Sequence, residues 1–146
     1  MMKSIVTLLL FFVGQIIVAQ EGPKIVFKAA ENTIDYGTVY KNEDNGIRIF
    51  EFTNTGNAPL MIKHAQSTCG CTVPKWTKEP IMPGKTGKIE VQYNMQPGPI
   101  RKTIVIETNA VNVEDGKVAL RIKGEVMPEQ TNSVLEQKKP GILPIN

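Results

Sequence analysis

The two cysteines of the chain, Cys69 and Cys71, stand one residue apart in the stretch STCGCT. Thiols at this spacing can form a disulfide, hold a soft metal ion, or take part in thiol–disulfide exchange. The sequence alone leaves these three alternatives open. Each of them makes Cys69 and Cys71 the first candidates for a functional site.

A disulfide between these residues requires a bent backbone. Residues two apart in a strand have Cα atoms about 6.5–7 Å apart, whereas a disulfide joins Cα atoms about 4.4–6.8 Å apart. Gly70 is expected to supply the bend. Closing a ring of three residues contributes only about 1.6 kcal/mol in the chain-entropy model. The pair is therefore expected to shape a bend at the end of a strand and to contribute little to stability.

A metal site at the two thiols would suit Cu(I), which prefers soft sulfur ligands. His64, the single histidine, lies five residues before Cys69, and Met61 and Met82 are candidate thioether ligands. A zinc site would need two further ligands, and the chain has no second cysteine pair. Cu(I), held by Cys69 and Cys71 with His64, is therefore the one cofactor that the sequence leaves open.

Thiol–disulfide chemistry requires a lowered thiol pKa, which usually comes from a helix N-terminus or a nearby cation. No helix is predicted near the cysteines, and Lys63, Lys75 and Lys78 are the candidate cations. Trp76, the single tryptophan, is expected to cover one end of the core. It is also the candidate binding residue, because tryptophan is enriched at binding hot spots.

Other kinds of chemistry find no support in the sequence. A single histidine without a Gly-x-Ser-x-Gly elbow gives no sign of a serine hydrolase, and no glycine-rich phosphate loop is present. The formal net charge is +3 and the basic residues are scattered along the chain, so no nucleic-acid partner is expected. No catalytic residue is nominated, and the chain is predicted not to be an enzyme.

Short alternating segments that could position these residues fill most of the chain. Seven candidate strands cover residues 24–30, 33–39, 47–53, 59–65, 88–95, 101–108 and 118–126. Apolar and polar residues alternate with period two in these segments, and Gly, Pro, Asn and Asp lie between them. The sequence therefore predicts an all-β, immunoglobulin-like antiparallel β-sandwich of about seven strands.

Three regions are predicted along the chain. Residues 1–19 have an early lysine, an apolar run and small residues before a cleavage point, which is the pattern of a signal peptide. Residues 20–126 form the predicted sandwich domain. Residues 127–146 lose the alternation and are expected to be a flexible C-terminal tail.

Five motifs follow one another along the chain: DYGT (35–38), FEFTNTG (50–56), PL (59–60), CGCT (69–72) and PG (83–84). In this order they resemble one bacterial family, catalogued as domain of unknown function 1573, and the resemblance runs from about residue 25 to 126. It implies an exported immunoglobulin-like domain, akin to sperm-protein, ciliary and pilus-chaperone domains, without an established activity. Tyr36 departs from the phenylalanine that is usual in the family and adds a hydroxyl at the expected edge of the core.

These features together predict an exported, non-enzymatic binding or assembly module with a protein partner. Domains of this kind can accept a partner strand at an open sheet edge. The alternative is a Cu(I)-binding or thiol-redox protein that uses Cys69 and Cys71. The predicted location is the periplasm or the extracellular space, with no integral membrane span once the signal peptide is removed.

Overall fold

The computed structural model describes residues 21–129, so the predicted signal peptide and residues 130–146 of the predicted tail lie outside the described residues. Eight strands form two sheets. They are β1 (Ile25–Phe27), β2 (Thr33–Tyr40), β3 (Ile47–Asn54), β4 (Ile62–Ser67), β5 (Thr72–Trp76), β6 (Thr86–Tyr93), β7 (Gly98–Thr108) and β8 (Lys117–Met127). Two short 3-10 turns, at Ala30–Asn32 and Glu114–Gly116, are the only helical elements among the described residues.

The two sheets each contain four strands, in the orders β1-β3-β6-β5 (sheet A) and β2-β8-β7-β4 (sheet B). This arrangement confirms the predicted immunoglobulin-like sandwich. One ladder differs from the antiparallel prediction, because β2 runs parallel to β8. The reason lies in the chain before β2: β1 pairs with β3 in sheet A, and the Ala30–Asn32 turn then carries the chain across to sheet B.

The eighth strand, β5, was not among the seven predicted. It pairs antiparallel with β6 along its whole length. Pro74 stands at its centre, and a proline inside a short run normally argues against a strand. β5 is the outermost strand of sheet A, where one side of the backbone needs no partner, and proline is tolerated there.

The core consists of side chains that point inward from both sheets. Phe50 faces Ile89 across the β3–β6 ladder, and Ile104 faces Leu120 across the β7–β8 ladder. All four are fully buried. The alternation seen in the sequence therefore corresponds to one buried face on each sheet, as the sandwich requires.

The side chain of Asn54, at the end of β3, is fully buried and uses its full hydrogen-bonding capacity at one end of the sandwich. Its Nδ2 donates to the carbonyl oxygens of Ala58 and Ile81, both at 2.8 Å. Its Oδ1 accepts from the backbone N–H groups of Lys24 at 3.3 Å and Gly56 at 3.0 Å. One amide thus joins the chain before β1, the turn after β3 and the chain before β6.

Gly56 completes this joint by leaving room for another backbone. A Cβ at position 56 would overlap the carbonyl oxygen of Gly22 and would lie 2.6 Å from the nitrogen of Lys24. The N-T-G motif therefore has a physical role, in which Asn54 holds the three segments and Gly56 lets two of them approach closely.

Asn112 closes the outer edge of β1 in a similar way. Its Oδ1 accepts from the N–H of Ile25 and its Nδ2 donates to the carbonyl oxygen of the same residue, both at 2.9 Å. These are the two bonds that a neighbouring strand would make. The amide therefore stands in for a strand and leaves Ile25 satisfied at the sheet edge.

Tyr36 anchors the loop between β2 and β3 through its hydroxyl. The hydroxyl donates to the carbonyl oxygen of Gly46 at 2.8 Å, and the Arg48 guanidinium lies 3.9 Å from the centre of the Tyr36 ring. Arg48 also donates to Asp44 at 2.7 Å and holds the pKa of that carboxyl below its usual range. Burial raises the pKa of Tyr36 to about 12.

We expect Asn54→Ala to lower the free energy of unfolding by at least about 3 kcal/mol, because it leaves several buried donors and acceptors unpaired. The matched control is Asn57→Ala, which removes one exposed bond to the N–H of Gly22 and should cost less than about 1 kcal/mol. Urea unfolding of both variants measures the difference. Equal losses would contradict the role given to Asn54.

We expect stability to fall as the pH rises from about 10 to about 12, because folded Tyr36 keeps its proton above the tyrosine pKa of the unfolded chain. This contribution is fully present below about pH 10, and its loss amounts to at most about 2.7 kcal/mol. Tyr36→Phe removes the titrating hydroxyl. The free energy of unfolding of this variant, measured in urea, should therefore fall less steeply above about pH 10. The same decline in both proteins would refute this assignment.

Candidate functional site

The cysteines lie at a corner where the chain passes from one sheet to the other. β4 is an outer strand of sheet B and β5 is an outer strand of sheet A, and residues 68–71 connect them. Cys69 and Cys71 are joined by a disulfide, with their Cα atoms 5.3 Å apart. Both residues are partly exposed, so the disulfide is at the surface.

Gly70 has a smaller role than the sequence suggested. Its φ is not among the positive values found in the described residues, and a Cβ built on it would meet no atom within 4 Å. The bend between the cysteines therefore needs neither a left-handed backbone nor the absence of a side chain at this position.

Trp76 lies at the other end of β5, on the open side between the sheets. Its ring packs partly against the core. The His64 ring, from β4, meets it edge-on with the ring centres 6.1 Å apart. The Lys78 ammonium lies 3.2 Å from the centre of the indole ring, which places a cation on the aromatic face. We call Trp76, His64 and Lys78 the Trp76 surface.

The indole nitrogen of Trp76 is buried and has no hydrogen-bond partner among residues 21–129. A buried N–H without an acceptor costs free energy, and tryptophan usually finds a partner when it is buried. A shallow depression of about 430 Å³ adjoins the ring and is also lined by Lys75, Lys88 and Glu90. The Trp76 surface therefore combines a large apolar ring, a concave neighbour and an unused donor.

The backbone at the open edge of β5 is poorly suited to accept another strand. The N–H of Asn94 donates to Cys71 and that of Thr77 donates to Lys88, so every second residue of β5 bonds to β6. Thr72, Pro74 and Trp76 consequently direct their backbone groups outward. Pro74 has no N–H to offer at the centre of this edge, which weakens pairing with an incoming strand.

The predicted metal ligands are not brought together. The His64 ring contacts Trp76, and five residues of extended chain, about 16 Å, separate Trp76 from Cys71. Met61 and Met82 are exposed and lie before β4 and before β6. No three His, Cys, Asp or Glu side chains of the described part of the chain could hold a metal ion together. A Cu(I) site would have to use the two thiols after reduction of their disulfide.

Two of the three lysines that could activate the thiols contact other side chains. Lys78 covers the Trp76 ring, and the Lys75 ammonium lies 3.8 Å from Glu90. Lys63 is exposed on β4. The contacts found for Lys75 and Lys78 thus belong to the Trp76 end of β5.

β5 was the element that sequence reasoning missed, and a signal for it was present. Thr72, Pro74 and Trp76 occupy every second position of β5 and lie opposite Tyr93, Val91 and Ile89, all of which are buried. Pro74 concealed this alternation. With β5 in place, Trp76 lies on an outer strand next to β4.

Comparisons with known proteins agree with this architecture. A family model described as "Protein of unknown function (DUF1573)" matches residues 27–126. No curated protein sequence matches the chain. Among residues 21–129, no helix has the length and apolar character needed to cross a membrane.

Two solved structures show similar folds. A protein of unknown function from Porphyromonas gingivalis W83 matches with a TM-score of 0.62 and 16% identity over 75% of this chain. The chain spans about half of that protein, 50% of its length. The ASH/PapD-like domain 7 of human CEP192 matches with a TM-score of 0.53 and 11% identity, over 73% of this chain and 87% of that domain. These likenesses identify the fold as an ASH/PapD-like immunoglobulin-like sandwich.

We expect the double substitution Cys69→Ser with Cys71→Ser to lower the free energy of unfolding by no more than about 2 kcal/mol, because the disulfide closes a very short ring. Urea unfolding with and without reductant provides the measurement. Reductant should lower the stability of the native protein by a similar amount and leave the double variant unchanged. A double variant that fails to fold would contradict a minor structural role.

Proposed function

The chain belongs to the family described as protein of unknown function DUF1573, and we propose that it is an exported, non-enzymatic binding module that docks a protein partner on the Trp76 surface. The observation that carries the proposal is Trp76 itself. It is a partly exposed indole on an outer strand, with a buried N–H that has no partner within residues 21–129.

The contacts of Trp76 favour docking by side chains. His64 and Lys78 hold the ring from two sides, so little conformational entropy remains to be lost when a partner covers it. Pro74 removes a donor from the adjacent backbone edge, so strand addition at β5 is disfavoured. The partner is therefore expected to place an apolar group against the exposed part of the indole ring.

The absence of enzymatic activity is part of the proposal. The Trp76 surface offers an indole, an imidazole and an ammonium group that covers the ring. These groups are suited to apolar and cation–π contacts with a partner.

Export is the remaining part of the proposal. The disulfide between Cys69 and Cys71 supports an oxidising compartment, such as the periplasm or the extracellular space. The leader pattern at residues 1–19 points to the same compartments. Fractionation of cells that produce the full chain tests this part, and recovery only from the cytosol would contradict it.

Cu(I) binding or thiol-redox activity remains a prediction from sequence. Either would require the disulfide to open, and His64 takes part in the Trp76 surface. Metal analysis of anaerobically reduced protein decides the Cu(I) version. Equal copper content in the native protein and in the Cys69→Ser, Cys71→Ser variant would exclude a site at the two cysteines.

We expect Trp76→Ala to weaken partner capture by about tenfold or more, since a central tryptophan typically contributes 2 kcal/mol or more to an interface. The measurement is quantitative capture from the envelope fraction of the producing cell, with each bait at equal concentration. Val26→Ala is the matched control, because it also truncates an exposed apolar side chain, and it should leave capture unchanged.

One further bait, the Pro74→Val variant, separates docking by side chains from strand addition. Pro74→Val restores a backbone donor at the open edge of β5 and keeps Trp76 in place. Unchanged capture by this variant supports side-chain docking. Capture that rises with Pro74→Val and ignores Trp76→Ala would refute the Trp76 surface, as would the failure of every bait to retain a specific protein.

A further inference from the structure

Three cationic side chains line one groove on the outer face of sheet B, although they are separated in the sequence. They are Arg101 from β7 and Arg121 and Lys123 from β8, and all three are exposed. Lys102 also borders the groove, but it lies opposite the buried Ile122 in the β7–β8 ladder, so its side chain is directed to the other face of the sheet. The groove is open and has a volume of about 500 Å³. We call Arg101, Arg121 and Lys123 the basic groove.

Two of the three positive charges in the groove face each other. Arg101 lies directly opposite Lys123 in the β7–β8 ladder. Arg121 lies between Thr103 of β7 and Thr33 of β2. Like charges opposite each other in a ladder lower stability. The placement of Arg101 opposite Lys123 therefore lowers the stability of the fold, so stability does not account for it.

Carboxylates of the described residues neutralise little of the positive charge of the basic groove. Lys123 forms an ion pair with Asp35 at 3.5 Å, and no ion pair is found for Arg101 or Arg121 among residues 21–129. Both partners of the Lys123–Asp35 pair are more than half exposed, so the pair contributes little. Glu31 is the one carboxylate that lines the groove. The two arginines therefore keep positive charges that no carboxylate of the described residues pairs with.

We infer that the basic groove binds an acidic polypeptide segment in an extended conformation. Arg121 and Lys123 are two residues apart on β8, so their Cα atoms are about 6.6–7 Å apart. Alternate residues of an extended peptide have the same spacing, so carboxylates at every second position would match this pair. Arg101 would add a planar donor group suited to a carboxylate, and Thr33 and Thr103 would add hydroxyl groups.

The lining of the groove favours an acidic polypeptide over other polyanions. Single-stranded nucleic acid is held largely by stacking on aromatic side chains, and no aromatic side chain lines the groove. An anionic membrane surface is usually joined by exposed apolar side chains that enter the lipid. The apolar member of the lining, Ile122, is buried in the core.

This inference extends the proposed function by giving the chemistry of a partner, and it is independent of the Trp76 surface. The probe is a fluorescently labelled eight-residue peptide of alternating glutamate and serine. Its binding is measured by fluorescence anisotropy at about 50 mM salt, where the screening of charges is weak. We expect saturable binding that weakens as salt is raised. A glutamine–serine peptide of the same length should not bind.

The test variant is Arg101→Gln with Arg121→Gln, which removes two charges and one repulsive contact, so its melting temperature should not fall. It should weaken peptide binding by about tenfold or more. The control is Lys41→Gln with Lys85→Gln, which removes two exposed charges outside the groove and should change binding less than about twofold. Trp76→Ala should bind the peptide as the native protein does.

Three results would overturn the inference. Equal weakening by the two double variants would show that only net charge matters. Tighter binding of polyphosphate or of anionic lipid vesicles than of the peptide, lost in the Arg101→Gln, Arg121→Gln variant, would assign the groove to phosphate groups. If peptide binding fails while Trp76-dependent capture persists, only the basic groove is refuted. The reverse outcome refutes only the Trp76 surface.

Discussion

The buried amide of Asn54 is the constraint on which one whole end of the sandwich depends. It binds three chain segments: the approach to β1, the turn after β3 and the approach to β6. Backbone hydrogen bonds join the same segments, from Thr55 to Lys24 and between Leu60 and Ile81. Because a buried amide must be satisfied, its four bonds favour the arrangement that these backbone bonds also require. The amide therefore reinforces the pairing of β1 with β3 in sheet A.

Side chains close open positions along sheet A. Asn112 supplies the partner bonds of Ile25 on β1, Asn45 accepts from the N–H of Ile47 on β3, and Pro74 removes a donor from β5. Open edges invite pairing with other chains, and these three features reduce that tendency in sheet A. The proposed recognition is accordingly assigned to side chains, at the Trp76 surface and at the basic groove.

Much of the fold could be predicted because period-two alternation reports a half-buried strand directly. Seven strands were found in this way, and the eighth was hidden by Pro74, whose tolerance depends on a place at the sheet edge. The parallel β2–β8 ladder could not be predicted, because the sequence of residues 33–40 does not indicate with which strand they pair. The basic groove escaped prediction for the same reason, because the meeting of Arg101 with Lys123 depends on register between strands that a turn of unknown geometry connects. The motif around Asn54 marked the family, but two of the partners of this side chain, Lys24 and Ile81, come from distant segments.

Pro74 also has an evolutionary consequence. A single base change in a proline codon gives serine, threonine or alanine, and each of these residues restores the amide hydrogen that the centre of β5 lacks. Such a change would leave the inward-facing alternation of Thr72 and Trp76 intact. One nucleotide change would therefore return an amide donor to the open edge of β5.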